Sequence, residues 1–215
     1  MLFRSRREVS GLAPRPLVLA CGALARDLRA ALALGGLDAA VEVEYLPSAL
    51  HNRPERIPDA VRAGLDAATA DGRPVFVAYA DCGTGGGLDA LIAAYPGVER
   101  LPGAHCYEMF AGADRFAAWH DAEPGVFYLT DYLARHFDQL VWVGLGLDRH
   151  PGLRDAYFGH YTRVVHLTQS GDDTVLAAAE RAADRLGLPL RVESTGVDGL
   201  TAPIVRWSTQ HAAAH

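Results

Sequence analysis

PVFVAYADCGTGGGLDALIAAYPG, residues 74–97, decides how the rest of the chain is read. PVFVAYA (74–80) is an unbroken apolar run, the pattern of a strand buried on both faces in a parallel sheet. Four glycines and a threonine then let the backbone fold back on itself. GLDALIAAYPG (87–97) follows as a short helix, stopped by Pro96-Gly97.

The same rhythm extends in both directions. Strands are predicted at PLVLA (16–20), VEVEYL (41–46), VFYLT (126–130), LVWVGLGL (140–147), TRVVHLT (162–168) and PLRVEST (189–195). Helical patterns separate them at residues 22–34, 54–72, 106–121, 131–139, after Pro151, and at 172–187. Such alternation implies an α/β fold, a three-layer, mainly parallel, Rossmann-like sheet with helices on both faces. Residues 17–200 show no composition break and read as a single α/β domain. Residues 1–16 read as a flexible N-terminal arm and residues 201–215 as a C-terminal tail, which leaves His211 and His215 without a role.

Half of the 215 residues are apolar, enough to bury a large core without staples. The formal net charge is -6, with no basic block to grip a phosphate backbone, so no nucleic-acid partner is expected. No apolar stretch is long enough to span a bilayer, so no membrane partner is expected. Arg4, Arg6 and Arg7 precede no apolar h-region, which argues against a signal peptide. With three cysteines, an odd number, the chain is expected in the reducing cytoplasm rather than stapled by disulfides.

All three cysteines fall where an apolar run gives way to a turn: LVLAC ends at Cys21, VFVAYADC at Cys82 and RLPGAHC at Cys106. In open α/β sheets that edge faces the crevice where ligands bind. Cys21 precedes a helix whose N-terminus favours thiolate, although a small buried residue there is the simpler reading. Cys82 and Asp81 open a turn whose Gly83, Thr84, Gly85 and Gly86 amides can point at an anion, or form nothing more than a tight turn. The turn lacks the Walker ending and the spacing of a dinucleotide fingerprint. His105, Cys106 and Glu108 stand within four residues and supply metal ligands, or a base beside a nucleophile.

Other polar groups share this rim. His51, Asn52 and Arg53 follow the second strand in LPSALHNRPERIP, with Arg56 close behind. Asp131 after VFYLT is either the N-cap of the next helix or a ligand-facing carboxylate. Asp148, Arg149 and His150 close the 140–147 run. His136 lies inside a helix and reads as solvated or core-satisfied, and YFGHY (157–161) reads as packing, with Tyr157 a possible exception.

ACGALAR, LPSALHNRPERIP, YADCGTGG, HCYE, FYLTDYLARHFD and GLGLDRHP together resemble the domain of unknown function sixteen thirty-eight family of bacteria and methanogenic archaea. The resemblance runs from about Leu17 to Gly196. It implies that Cys21, Cys82, His105, Cys106 and Glu108 are family-pattern positions, without assigning them roles. It also points towards one-carbon metabolism and a corrinoid or methyltransferase partner.

Three chemistries fit these residues. A metalloenzyme or metalloprotein would use Cys21, Cys82 and Cys106 as thiolate ligands, which select zinc or a four-iron, four-sulfur cluster and leave one position open for a substrate. Separated loops that each give one cysteine are similar to the arrangement of quinolinate-synthase-type enzymes. A metal-free hydrolase or transferase would use Cys82 as nucleophile and His105 as base. A binding module would hold a small anionic molecule, or a corrinoid protein, on the glycine turn, His51, Asn52, Arg53, Asp131 and Arg149. Under an enzymatic reading His105, Glu108, Asp81 and Asp148 are the candidate acids and bases, and the reaction class stays open.

Overall fold

The computed structural model describes residues 14–212. Among the described residues seven strands form, all parallel as the β-α alternation requires, but they divide between two sheets. β1 (Leu17–Cys21), β2 (Glu42–Leu46), β3 (Val75–Ala78) and β4 (Glu99–Arg100) form the first, in the order β2-β1-β3-β4. β5 (Val126–Thr130), β6 (Arg163–Thr168) and β7 (Leu190–Ser194) form the second, in the order β5-β6-β7. The helices are α1 (Ala25–Leu34), α2 (Ile57–Ala70), α3 (Gly87–Ile92), α4 (Cys106–Ala111), α5 (Ala113–Ala122), α6 (Asp131–Arg135), α7 (Leu153–Phe158), α8 (Asp173–Leu186) and α9 (Asp198–Ala212). None is long and apolar enough among the described residues to cross a membrane.

The central strands follow from their apolar runs. Every residue of β1 and β3 is buried, and Leu17–Ala20 pair in register with Val75–Ala78. Each sheet has its own core. Around β1 and β3 pack Leu24 and Leu28 of α1, Ile57, Val61 and Leu65 of α2, and Leu200, Ile204 and Trp207 of α9. Around β5 and β6 pack Ala134, Phe137 and Val141 with Val175, Ala179 and Leu186 of α8. Tyr107 and Phe116, from α4 and α5, lie against Tyr128, Val165 and Leu167 and join the two halves.

Three expectations are corrected. LVWVGLGL is not a strand: residues Asp138–Val143 form a π-helical turn, in which Gly144 N–H donates to Gln139 O at 3.1 Å and Leu147 N–H to Trp142 O at 2.9 Å. Both bonds reach five residues back, the wide winding of a π-turn. A continuous apolar run has no period by which to tell strand from helix, and here Val141 and Leu147 are buried beside α8 instead of pairing. Helix 106–121 breaks at Gly112 into α4 and α5.

The C-terminal segment is not a tail over residues 201–212 but most of α9. Val197, Leu200, Ile204 and Trp207 carry helical spacing, and Trp207 is fully buried with its ring 5.5 Å from Phe76. At Gly199 a Cβ would come within 1.9 Å of Met109 O, so only glycine lets α9 cross α4 this closely. The N-terminal arm falls, over residues 1–13, outside the described residues, as do residues 213–215.

Candidate functional site

The carboxyl ends of β1 and β3 bring the cysteines together. Cys21 is the last residue of β1, and its Sγ accepts from Ala23 N–H at 3.3 Å. At Gly22 a Cβ would lie 2.8 Å from Leu46 O, so the chain after β2 passes directly over this corner. That passage delivers the 3₁₀ turn Ser48–Asn52 and places His51 Nδ1 3.8 Å and Nε2 4.0 Å from Cys21 Sγ. Past β3, Asp81 N–H donates to Gly103 O at 3.1 Å and Cys82 N–H to Ala104 O at 2.8 Å. These two bonds bind the glycine turn to the loop that ends at Cys106, the first residue of α4. Cys82 itself sits at φ 52°, left-handed backbone that is unusual outside glycine and concentrates at functional sites.

Cys21, Cys82 and Cys106 line one cavity of about 20 Å³, together with His51, Tyr79, Leu101 and Met109. That is room for one water-sized species. Tyr79 is 1% exposed and its hydroxyl has no hydrogen-bond partner. His51 Nδ1 lies 3.1 Å from Ser48 O, a carbonyl that can only accept, so Nδ1 carries the proton and Nε2 keeps its lone pair. Although the outer edge of His51 is exposed, burial of its ring holds its pKa below the ordinary value. Burial pushes the thiols the other way. Cys21 and Cys106 are raised, and Cys82 goes up to about 12 through burial and the neighbouring Cys21. For Cys106, both other cysteines add to the effect of burial. At neutral pH the three favour the thiol form, a poor nucleophile until the proton is lost. Among the described residues no three His, Cys, Asp or Glu side chains are grouped so that they could hold a metal ion as they stand.

The neighbours expected to act with the cysteines are largely used by the fold. Asp81 closes its own turn: Oδ1 accepts from Thr84 Oγ1 at 2.5 Å and Gly86 N–H at 2.9 Å, and Oδ2 from Gly85 N–H at 3.1 Å. The amides read as an anion cradle thus already hold a carboxylate, and those three bonds keep Asp81 below its usual pKa against the opposing pull of burial. Gly83 packs near Pro54. Glu108 accepts from Ala104 N–H at 2.9 Å, a cap on the start of α4. The His105 ring lies tilted against Tyr107 at 5.3 Å and edge-on to Phe116 at 5.0 Å, and it lines a separate cavity of about 570 Å³ with His120, Tyr128 and His160. Cys82 is not in that lining. Asn52 and Arg53 are exposed beside His51. Asp148 and Arg149 are exposed too and face each other at 3.9 Å in the turns after the π-helical segment. Without a strand at 140–147, their expected place at a sheet edge does not exist.

The second sheet supplies residues that sequence reasoning passed over. Thr130, not Asp131, caps α6 by accepting from Leu133 N–H. Asp131 turns its buried carboxylate towards β6, where His166 Nε2 donates to Oδ1 at 2.9 Å and Ser170 N–H and Oγ donate to Oδ2 at 2.9 and 2.5 Å. Burial opposes this charge, but the bonds from His166 and Ser170 outweigh it and hold the carboxyl at about 2. Asp131 N–H donates to Gln169 Oε1 at 2.9 Å. Asp131, Gln169 and Ser170 form one wall of a cavity of about 480 Å³; Gly22, Ala23 and Asp27 of the first half form the other. Ala23 borders both this cleft and the cysteine cavity. Asp27 is buried there, and burial together with the facing Asp131 raises it to about 7. Helical spacing from Leu24, Leu28 and Ala31 was the available signal, since it puts an acid on the buried face of α1.

A model of the family described as "Protein of unknown function (DUF1638)" matches residues 45–203. The match starts at the end of β2 and includes α9 up to Pro203, so it leaves out Cys21 and differs from the 17–196 span of the motifs. No curated protein matches. Among solved structures, an ornithine carbamoyltransferase from Pyrococcus furiosus is similar at 17% identity, with a TM-score of 0.28 over 84% of this chain. The chain spans about half the length of that enzyme, 54%.

Proposed function

This chain belongs to the DUF1638 family, and we propose that it is a metalloprotein whose centre is a single soft cation, zinc, drawn between Cys21, Cys82 and Cys106 with His51 at the fourth position. The observation that carries this reading is the cavity itself. Three thiols from three separate loops, and one histidine, line a space with room for about one small species. The donor set is the sulfur and nitrogen set that zinc prefers over magnesium or calcium. His51 has one feature of a ligating histidine, an Nδ1–H held by a backbone carbonyl, and its Nε2 lies 4.0 Å from Cys21 Sγ, against 3.8 Å for Nδ1. One buried and two half-buried thiols that each resist ionisation become ligands when a divalent charge replaces their protons. Binding would draw the sulfurs together, and the left-handed Cys82 backbone at φ 52°, a conformation enriched at functional sites, supports a role for that loop.

When bound, such a cation supplies Lewis acidity or activates a thiol or water beside it. This chain's residues would position that chemistry. The Asp81 turn fixes Cys82, Glu108 fixes the start of α4 at Cys106, and Tyr79 offers a hydroxyl with no protein partner. Free thiols belong in a reducing compartment, so the cytoplasm is part of the same reading.

Protein purified without oxygen should carry about one zinc per chain by elemental analysis, and Cys82→Ser or Cys106→Ser should lose most of it. A brown, iron-bearing protein would replace zinc by an iron–sulfur cluster. A colourless protein that takes up neither metal would sink the proposal.

A further inference from the structure

The cleft between the two sheets holds a charge arrangement that the cysteine cavity does not use. Asp27 is 7% exposed and projects from the first turn of α1 into the wall of the 480 Å³ cavity. Among the described residues its surroundings act on it through burial and distant charge, with no hydrogen bond to its carboxyl. With no protein donor, its oxygens face the solvent of the cavity, and a bound group that supplies donors would take the solvent's place.

The other charged and titratable groups facing this chamber are Arg26 on α1, Asp131, Arg135 and His136 at α6, and Asp172 before α8. Asp131 has both oxygens filled by His166 and Ser170, so its negative charge is fixed and confronts Asp27 across the space. Arg135 is turned to Asp172, at 3.5 Å, and Arg26 is exposed, where water screens it. The chamber therefore presents an unpaired carboxyl opposite a permanent carboxylate, in a volume typical of small-molecule sites.

We propose that this chamber binds a small molecule through an ammonium group seated on Asp27. An ammonium brings up to three N–H donors to the bare carboxyl and places a positive charge between two acids that otherwise repel. A carboxylate or phosphate group in the same position would meet the field of both. The inference does not rest on the zinc reading, since none of these residues is a cysteine-cavity ligand. Ala23 lies between the two spaces, which share no other lining residue.

Calorimetric titration with butylammonium, 4-aminobutyrate and butyrate tests it. The two ammonium probes should bind and butyrate should not. Asp27→Asn keeps the shape of the protonated acid and should fold, while ammonium affinity falls at least about tenfold. In the unmodified protein the affinity for butylammonium should also rise between pH 5 and 8 as Asp27 ionises, which keeps the idea testable should the variant not fold. Butyrate binding as tightly as butylammonium, unchanged affinity in Asp27→Asn, or no binding of either ammonium probe up to about 10 mM would overturn it. Zinc measured on the same samples separates the two readings: Asp27-dependent ammonium binding in a metal-free protein removes the zinc proposal alone.

Discussion

At the carboxyl end of the first sheet, Cys21, Cys82, Cys106 and Tyr79 surround a small cavity with thiols that resist ionisation and a hydroxyl without a partner. At the same end of the second sheet, Asp131, His166, Gln169 and Ser170 hydrogen-bond one another closely. Both edges occupy the place where α/β sheets put their ligands, yet they differ in what they lack. The second network is complete within the protein apart from the bare Nδ1 of His166. Under the zinc proposal the first is completed by a cation from outside. An edge whose polar groups satisfy each other holds the fold together, while an edge whose groups remain unsatisfied is poised for a partner.

The strongest way to break this comparison is Asp131→Ala. It removes the carboxylate that His166 Nε2 depends on and strands that buried donor in the interior, while exposed Ser170 can turn to water, so a loss of about 3–5 kcal/mol is expected in chemical denaturation. A loss under about 1 kcal/mol would show that the second edge is not structural in the sense argued.

A smaller effect sharpens the boundary between the edges, at Asp27. Its folded pKa of about 7 lies above the unfolded value near 3.9. The neutral acid is thus the form the folded state prefers. Stability from this group is full below about pH 4, declines as pH rises towards 7, and levels off above that. The decline should be on the order of 2–4 kcal/mol between pH 4 and 8, and Asp27→Asn should flatten it. Equal slopes in the two proteins between pH 4 and 8 would contradict the buried, unpaired placement of Asp27.

How far each edge was legible in the sequence follows from the physics of each. The cysteines were visible because strand ends are marked by apolar runs that stop, and the strands before these three stops, β1, β3 and β4, belong to one sheet. Their convergence on His51 was within reach for the same reason. Asp27 and His166 were hidden inside apolar segments, where a polar residue disturbs the pattern too little to register. Asp148 and Arg149 were misplaced because a continuous apolar run, residues 140–147, carries no period, and of the two readings open for Asp131 the cap belongs to Thr130. Asp81 and Glu108 looked chemical and turned out to be local staples, since short-range bonds from a side chain to the backbone three to five residues away leave no mark in the sequence that separates them from function. Division of the strands into two sheets depended on α4 and α5 packing against β5 and β6, contacts between distant stretches that no local pattern records.

The smallest effect is expected where the first edge is altered in metal-free protein. Cys82→Ser exchanges one weakly bonded polar group for another at a half-buried position, and its backbone bond to Ala104 O involves no side-chain atom. Stability of the metal-free form should change by less than about 1 kcal/mol, although zinc uptake is lost. The left-handed backbone at this residue is retained by serine, so no strain is added or relieved. A Cys82→Ser loss comparable with that of Asp131→Ala would make the thiol a packing residue of the first core. Near-neutral stability with lost metal instead separates the two edges by the same measurement, one answering to the fold and the other to a ligand.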